Sequence, residues 1–525
     1  MNHNYTDRWD RAFHRIPKPM RTAFLSCFVI GLLVHLFAFT NLIPNSDGLS
    51  RMYDTQQMTI SGRWFLHYAS MFHAYIQAPA LIGVLSLIFM GISAALTADL
   101  FQIKHTTPAI LFGGLLIAFP AMAYTYLYMF TASAYAFGIL LAVLSIWIFR
   151  RWKHGFLPAA ILLACAVGTY QAYFAVAVSI GLICVLLDLL NKDIAVSTTV
   201  KDGFRMIGML LISAAVYYGV LQIFLHVKGL TLLDYRGIGS VGSALSLKSL
   251  LISIAVAYKQ VFTYFLVPYS ASYNTTLLTA AHWALAAATL ISLGIMVRSW
   301  IKEGMHSRLV LLLVGFLILP LALNFTQLLS SSSPNMRISF VLAYMLAIAL
   351  FERAEHGSAL LEGFSRSSCI VILLVSTQIC NLAYTSSATA HRATQAFATN
   401  LVSRVEQSPG YTSDKQVVVI GSFPDEIYHS SISAFDLVEH YSCLSGSVMP
   451  LNKHVYYYLN DWLNVPWEEP TESTMIEVSD SNFFRNMPLY PDDGSVIVHG
   501  DQVIVKLAPQ YKPKQPYEIE YEQRR

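Results

Sequence analysis

A succession of apolar runs, each near the length needed to cross a bilayer, constrains this chain more than any other feature. A membrane helix needs ~20 largely apolar residues. Residues 22–42, 78–98, 107–123, 131–149, 156–169, 172–190, 204–225, 276–297, 309–328, 338–351 and 368–385 are eleven candidates. Hydrocarbon offers no partner to a backbone N–H or C=O, so such segments must be helical. Two of them, 156–169 and 338–351, are short and need tilt, a break or flanking aromatics. A further run, 249–268, carries Lys259 and Gln260. It is expected at the interface or as a re-entrant element, with a full span as the alternative. Only 12% of the 525 residues are charged, against about 25% in soluble domains. The net charge of +3 and the lack of a long basic run argue against nucleic acid as a partner.

Basic residues set the expected orientation. Residues 1–21 hold Arg8, Arg11, Arg15, Lys18 and Arg21. The apolar run that follows is too long for a signal-peptide core and lacks a small-x-small exit, so it reads as an uncleaved first helix with a cytoplasmic N-terminus. Lys104, Arg150, Arg151, Lys153, Lys192, Lys201, Arg298, Lys302, Arg308, Arg353 and Arg366 then fall at cytoplasmic connections. The opposite face receives 41–77, the bend at 169–172, a long loop 226–275, residues 329–337 and everything after 385.

From residue 386 the composition changes. Gln416–Ile420, Ser495–His499 and Val503–Leu507 read as strands bounded by turn residues, and Ala390–Val405 as a helix. The expectation is a small α/β extracytoplasmic domain over 386–525, ending in a loose tail from Pro509. The membrane part, 22–385, would contain a first outer loop at 43–77. Of six cysteines only Cys443 lies in the polar C-terminal part, which rules out a disulfide within it. No metal-ligand spacing occurs.

Charge in this charge-poor chain concentrates in Asn41–Phe65, NLIPNSDGLSRMYDTQQMTISGRWF. Asp47, Arg51 and Asp54 are four and then three apart, which shares one face if Asp47 starts a helix capped by Ser46 or Asp47. Ser61-Gly62 breaks the chain and presents Arg63 and Trp64. A carboxylate, arginines and an indole at a membrane surface can deprotonate a hydroxyl, hold a phosphate and stack on a sugar. The same residues also fit a self-neutralising solvated loop. On the same face, Tyr170 and Gln171 of Thr169–Tyr173 are placed to meet sugar hydroxyls, or to form an interfacial aromatic belt. Arg337, after SSSSPNM, is placed to face a phosphate or a lipid headgroup. The run Asp234–Ser246 reads as a mobile loop, and Tyr456-Tyr457-Tyr458 as core before saccharide platform.

Taken together, PNSDGL after the first helix, SGRWF before the second, the TYQAY bend and SSSSPNMR resemble the bacterial O-antigen glucosyltransferases of the Gtr, serotype-converting type. The likeness covers about residues 20–385. It implies a multi-spanning GT-C-like glycosyltransferase of the bacterial inner membrane, with its C-terminal domain in the periplasm. It implies a polyprenyl-phosphate sugar donor, glucose by family, an O-antigen, lipopolysaccharide or related glycan acceptor, and a separate donor synthase and flippase. By the same likeness Asp47 matches the acidic first-loop residue that serves as base, and Arg63 becomes a donor-binding residue. Asp54 as second base, and Arg51 and Arg337 on the donor phosphate, follow from charge and topology alone. The expected reaction is a single inverting displacement. Arginine neutralisation makes a cofactor unnecessary, with a divalent ion on Asp47 or Asp54 left open. Rival readings are a lipid-linked sugar flippase, which would carry charges within its helices or an internal repeat, an O-antigen polymerase, and a binding protein centred on the C-terminal domain.

Overall fold

A computed structural model describes residues 16–50, 52–232, 247–269, 274–329, 337–353, 359–428, 430–441, 444 and 452–513. Arg51, the stretch 234–246, the serines 330–333 and Cys443 lie outside the described residues. The chain forms two compact units. One is Met1–Thr40 with Thr55–Asn381, the other Asn41–Asp54 with Leu382–Arg525.

The first unit is a polytopic helical membrane domain. Its helices are α1 (Lys18–Thr40), α2 (Pro79–Leu100), α3 (Thr106–Ala118), α4 (Pro120–Leu127), α5 (Met129–Arg151), α6 (Phe156–Thr169), α7 (Tyr173–Leu190), α8 (Val196–Val227), α9 (Leu247–Leu266), α10 (Thr276–Lys302), α11 (His306–Leu323) and α12 (Val341–Arg353). The helix α13 (Ala359–Glu406) begins here and runs on, its residues from Leu382 belonging to the second unit. Among the described residues nine helices are long and apolar enough to cross a membrane, or ten if α3 and α4 are one bent span. The bend of 42° falls at Pro120. Proline cannot donate to the helix and pushes Phe119 to an extended ψ of 132°.

Small residues let the first helices approach closely, as is usual where lipid gives no hydrophobic drive to association. A Cβ built on Gly113 would lie 2.4 Å from the Ala23 carbonyl oxygen of α1, and one on Gly83 2.4 Å from the Phe39 ring. The two interior histidines are paired: His35 Nε2 donates to the Ile117 carbonyl at 2.8 Å, and His282 shares a 2.7 Å bond with the Tyr344 hydroxyl.

Polar groups gather at the helix ends. At one end Arg150 pairs with Asp188 and Arg151 with Asp99, each at 2.8 Å. Glu352 accepts from the Lys104 and His105 N–H groups at 2.8 Å, capping the start of α3. The buried Arg308 guanidinium donates to the carbonyls of Leu189, Asn191 and Lys192 at 3.0, 2.9 and 3.2 Å, closing the C-terminus of α7. Lys192 meets Glu303 at 2.8 Å. These bonds tie together the connections that carry the basic residues. At the other end Phe65 N donates to Gly168 O at 2.8 Å, and Lys228 to Gln57 Oε1 at 3.1 Å.

This sorting bears on α9. The helix before it, α8, finishes at the end where Lys228 meets Gln57. The helix after it, α10, finishes at the opposite end, where Glu303 meets Lys192, and therefore starts where α8 stopped. A single crossing by α9 would break that alternation, although its length and composition permit one. The shorter α6 and α12, 14 and 13 residues long, stand outside that count of nine or ten.

The second unit carries a three-stranded sheet ordered β1-β3-β2, with β1 (Gln416–Ile420) parallel to β3 (Gln502–Lys506) and β2 (Val496–His499) antiparallel to it. Strand alternation feeds two cores. Val417, Val419, Val503 and Val505 pack with Ala398, Leu401 and Val405 of α13 and with Val455, Tyr456 and Leu459 of α14 (Asn452–Leu463). Val418, Ile420 and Ile504 pack with Met475, Val478 and Phe484 of α15 (Glu472–Asp480) and α16 (Asn482–Asn486). The tyrosine run is core: Tyr456 and Tyr458 are buried, and the Tyr456 hydroxyl accepts from Val419 N at 2.8 Å and donates to Val417 O at 3.1 Å. The expected break between a span ending at 385 and a helix starting at 390 does not occur. Ser386–Ala390 holds no glycine or proline to stop a helix, and Thr389 bonds back to the Thr385 carbonyl at 2.9 Å.

Gly113→Ala is expected to lower stability by about 1–3 kcal/mol through overpacking against α1 backbone. Gly294→Ala in α10, with nothing within 4 Å of its Cβ position, should be neutral or stabilise by up to ~1 kcal/mol. Apparent melting temperatures of the two purified variants in one detergent check the contrast.

Candidate functional site

The turn that presents Arg63 is held by backbone and side chains together. Met58 and Arg63 form an antiparallel bridge around the short 3-10 helix Thr59–Ser61. Gly62 closes it in the left-handed region, at φ 77°, with its N–H on the Thr59 carbonyl. Two residues distant in sequence seize the turn. Gln171 Nε2 donates to Ser61 O at 2.8 Å, and the Tyr217 hydroxyl to Gly62 O at 3.0 Å. A Cβ on Gly62 would lie 2.6 Å from that Gln171 nitrogen and 2.7 Å from the Tyr217 oxygen. Glycine is therefore required twice, by φ and by space.

Arg63 leaves this turn half-buried among tyrosines. Its guanidinium carbon sits 5.0 Å from the Tyr170 ring centroid, and Nη1 donates to the Tyr135 hydroxyl at 3.2 Å. Tyr135 and Tyr170 stack at 5.1 Å, and Tyr173 meets Tyr170 edge-on at 5.4 Å. Aromatic faces hold a guanidinium plane in place. That arrangement suits a tetrahedral anion such as phosphate.

The structure thus brings together Arg63, Trp64, Tyr170 and Gln171, and changes the work expected of two of them. Trp64 was expected to stack on a sugar, but its ring is only 7% exposed. It stacks on Phe224 at 5.9 Å and leaves no room for a Cβ on Gly168. It wedges the turn against α8. Gln171 has turned its amide nitrogen to the loop backbone, so it holds the turn as well. Tyr217 escaped the sequence reading. It is one aromatic in an apolar run, and only folding carries its hydroxyl to a carbonyl 155 positions away.

Arg337 occupies a second polar cluster of the same unit. It is 2% exposed; Nη2 donates to Gln327 Oε1 at 3.1 Å, and Nη1 donates to Gln260 Oε1. Asn324 Nδ2 donates to that same Gln260 oxygen at 2.9 Å. This accounts for Gln260 within an apolar run. Phe174, next to Tyr173, packs on Phe325 at 5.4 Å, so the two arginine clusters flank the start of α7.

Asp47 and Asp54 belong to the other unit, and Arg51 lies outside the described residues. The helix that would have aligned them does not form. Only Ser46–Gly48 is helical, a 3-10 turn whose N-cap is Asn45, and Asn45 Oδ1 accepts from Asp47 N at 2.9 Å. Just beyond this turn the Leu49 carbonyl accepts from Trp462 Nε1 at 3.1 Å. Asp47 is exposed, and its carboxylate makes no ion pair or hydrogen bond among the described residues. Asp54 is half-buried in extended chain. Among the described residues no group of three or more His, Cys, Asp or Glu could hold a metal ion.

A buried histidine, His73, lies in the same loop as Arg63. Its Nδ1 shares a 2.8 Å bond with Ser133 Oγ, just before the chain reverses through Ala74 and Tyr75 at φ 51° and 62°. Burial pushes His73 down to about 4. It is a neutral base throughout the physiological range.

Residues 36–351 match the family described as Glucosyl transferase GtrII. Every residue proposed above for the site falls inside that stretch. No curated protein and no solved structure matches the chain.

Two outcomes are expected. Gly62→Ala should destabilise by about 1–3 kcal/mol and depress activity, whereas Tyr217→Phe, which keeps the ring, should cost only about 0.5–1.5 kcal/mol. Both are read by thermal melting beside transfer rate. For His73 the unfolded state binds a proton between pH 6.5 and about 4 and the folded state does not, so stability falls as pH drops through that window. The penalty approaches ~3 kcal/mol, and His73→Asn should flatten this part of the stability–pH profile.

Proposed function

The chain belongs to the GtrII glucosyl transferase family, and on that premise we propose that it transfers glucose from a polyprenyl-phosphate donor to an O-antigen or related surface glycan. The proposed location is the periplasmic face of the bacterial inner membrane, with the arginine clusters at the periplasmic end and the ion-paired basic connections in the cytoplasm. The observation that carries the reading is the family match across the Asp47–Arg63 loop, joined to a half-buried Arg63 fixed on tyrosines.

The chemistry follows from the donor. A sugar already linked to phosphate carries its own leaving group. Asp47 takes the proton from an acceptor hydroxyl as its oxygen attacks the anomeric carbon. The bond from that carbon to the phosphate oxygen breaks on the opposite face, and configuration inverts. Charge on the departing polyprenyl phosphate rises as the bond lengthens, and Arg63 neutralises it. Tyr170 holds the guanidinium plane, and Gln171 and Tyr217 hold the backbone behind it. Arg337, buried on amide oxygens near the start of α7, is a second cation for the phosphate. Asp54 is the reserve base.

The test is transfer of labelled glucose from polyprenyl-phosphate glucose to lipopolysaccharide in membranes. Asp47→Asn should reduce turnover by about 10²-fold or more. Arg63→Ala should raise the donor KM about tenfold or more. Full transfer by Asp47→Asn would move the base to Asp54. Transfer absent from the wild type with every lipid-linked sugar supplied would overturn the reading.

A further inference from the structure

The region that matches the family ends at residue 351, yet a 14-residue piece of it, Asn41–Asp54, folds into the unit formed by Leu382–Arg525. The packing of that piece is specific. Leu49 is fully buried in the main core of the second unit, in the cluster that holds Leu401, Val419, Tyr458 and Leu459. The Trp462 indole N–H donates to the Leu49 carbonyl at 3.1 Å. Trp462 is in turn set edge-on against His391 at 5.6 Å, and His391 Nδ1 bonds the Tyr458 hydroxyl at 3.0 Å.

Around Asp47 the pattern is one of anchors on both sides. Ile43, Pro44 and Asn45 before it are buried, as are Gly48 and Leu49 after it, while Asp47 is exposed at the crown of the turn. Asn45 fixes that crown from within, its carbonyl accepting from Gly48 N at 2.9 Å and its side chain from Asp47 N at 2.9 Å. A loop that merely filled a core would have no need to rigidify an acidic tip. A general base does need it, since an ångström of misplacement can cost ~10² in rate.

We infer that the C-terminal unit works as the platform for the catalytic base, with Trp462 and Leu49 as positioning residues for Asp47. The inference rests on the reading of Asp47 as base. It assigns residues 382–525 a part in the transfer step itself, beyond glycan binding or anchoring.

The experiment uses the full-length chain in membranes, with polyprenyl-phosphate glucose as donor. Trp462→Phe keeps the ring and removes the N–H; it should lower kcat about tenfold with the donor KM within twofold of wild type. Leu49→Ala should do the same or more, and Leu49→Met, which refills the volume, should restore most of kcat. In an Asp47→Asn background, Trp462→Phe should have no further effect, which a general loss of folding would not reproduce. If Asp47→Asn abolishes transfer while Trp462→Phe and Leu49→Ala turn over like wild type, the platform is overturned and the base stands. If Trp462→Phe lowers kcat equally with and without Asp47, the platform is overturned as well. Full activity in Asp47→Asn would overturn the base reading, and the inference with it.

Discussion

Hydrocarbon cannot solvate a polar group, and the first unit is arranged around that fact. Backbone amides are consumed within helices, and the charges that remain are driven to the helix ends. At one end they satisfy each other and the helix termini: Arg308 covers the last carbonyls of α7, Glu352 the first amides of α3, and Arg150 pairs with Asp188. This end is a closed set of ion pairs and caps. At the other end the arginines meet hydroxyls, rings and amide oxygens.

That asymmetry separates structure from chemistry. Arg150 gives its Nη2 to both oxygens of the Asp188 carboxylate, at 2.9 and 2.8 Å. Arg63 lies on the Tyr170 ring and donates to the Tyr135 hydroxyl, and the backbone behind it is locked by Gln171 and Tyr217. This lock on the loop requires glycine at position 62. The same logic recurs at Asp47, whose turn is pinned from below by buried neighbours while the carboxylate stays in solvent.

Much of the membrane domain was legible in the amino-acid sequence. Spanning runs are long, and their apolar signal survives small errors of boundary, so most of the spanning helices and the clustering of basic connections could be read directly. The strands were legible too, because QVVVI and VIVK sit between turn residues. Trp64 and the Asp47–Asp54 face were misread for one reason. A local pattern says which residues are chemically able, and not which neighbour occupies them. Trp64 looked like a sugar platform until Phe224 covered it. The Asp47 helix is only the 3-10 turn Ser46–Gly48, with the Leu49 carbonyl beyond it held by Trp462. Tyr217 gave no local sign at all.

By itself the sequence determined the class of protein, the helices, the small α/β unit and the loop in which acid, arginine and indole are concentrated. Those properties depend on composition and short-range periodicity, which each segment carries alone. Only the tertiary structure decided that Gln171 and Tyr217 serve the backbone of the Arg63 turn, and that Asn41–Asp54 belongs with residues hundreds of positions away. Those outcomes depend on hydrogen bonds and packing between remote segments, whose partners are chosen only when the chain has closed on itself.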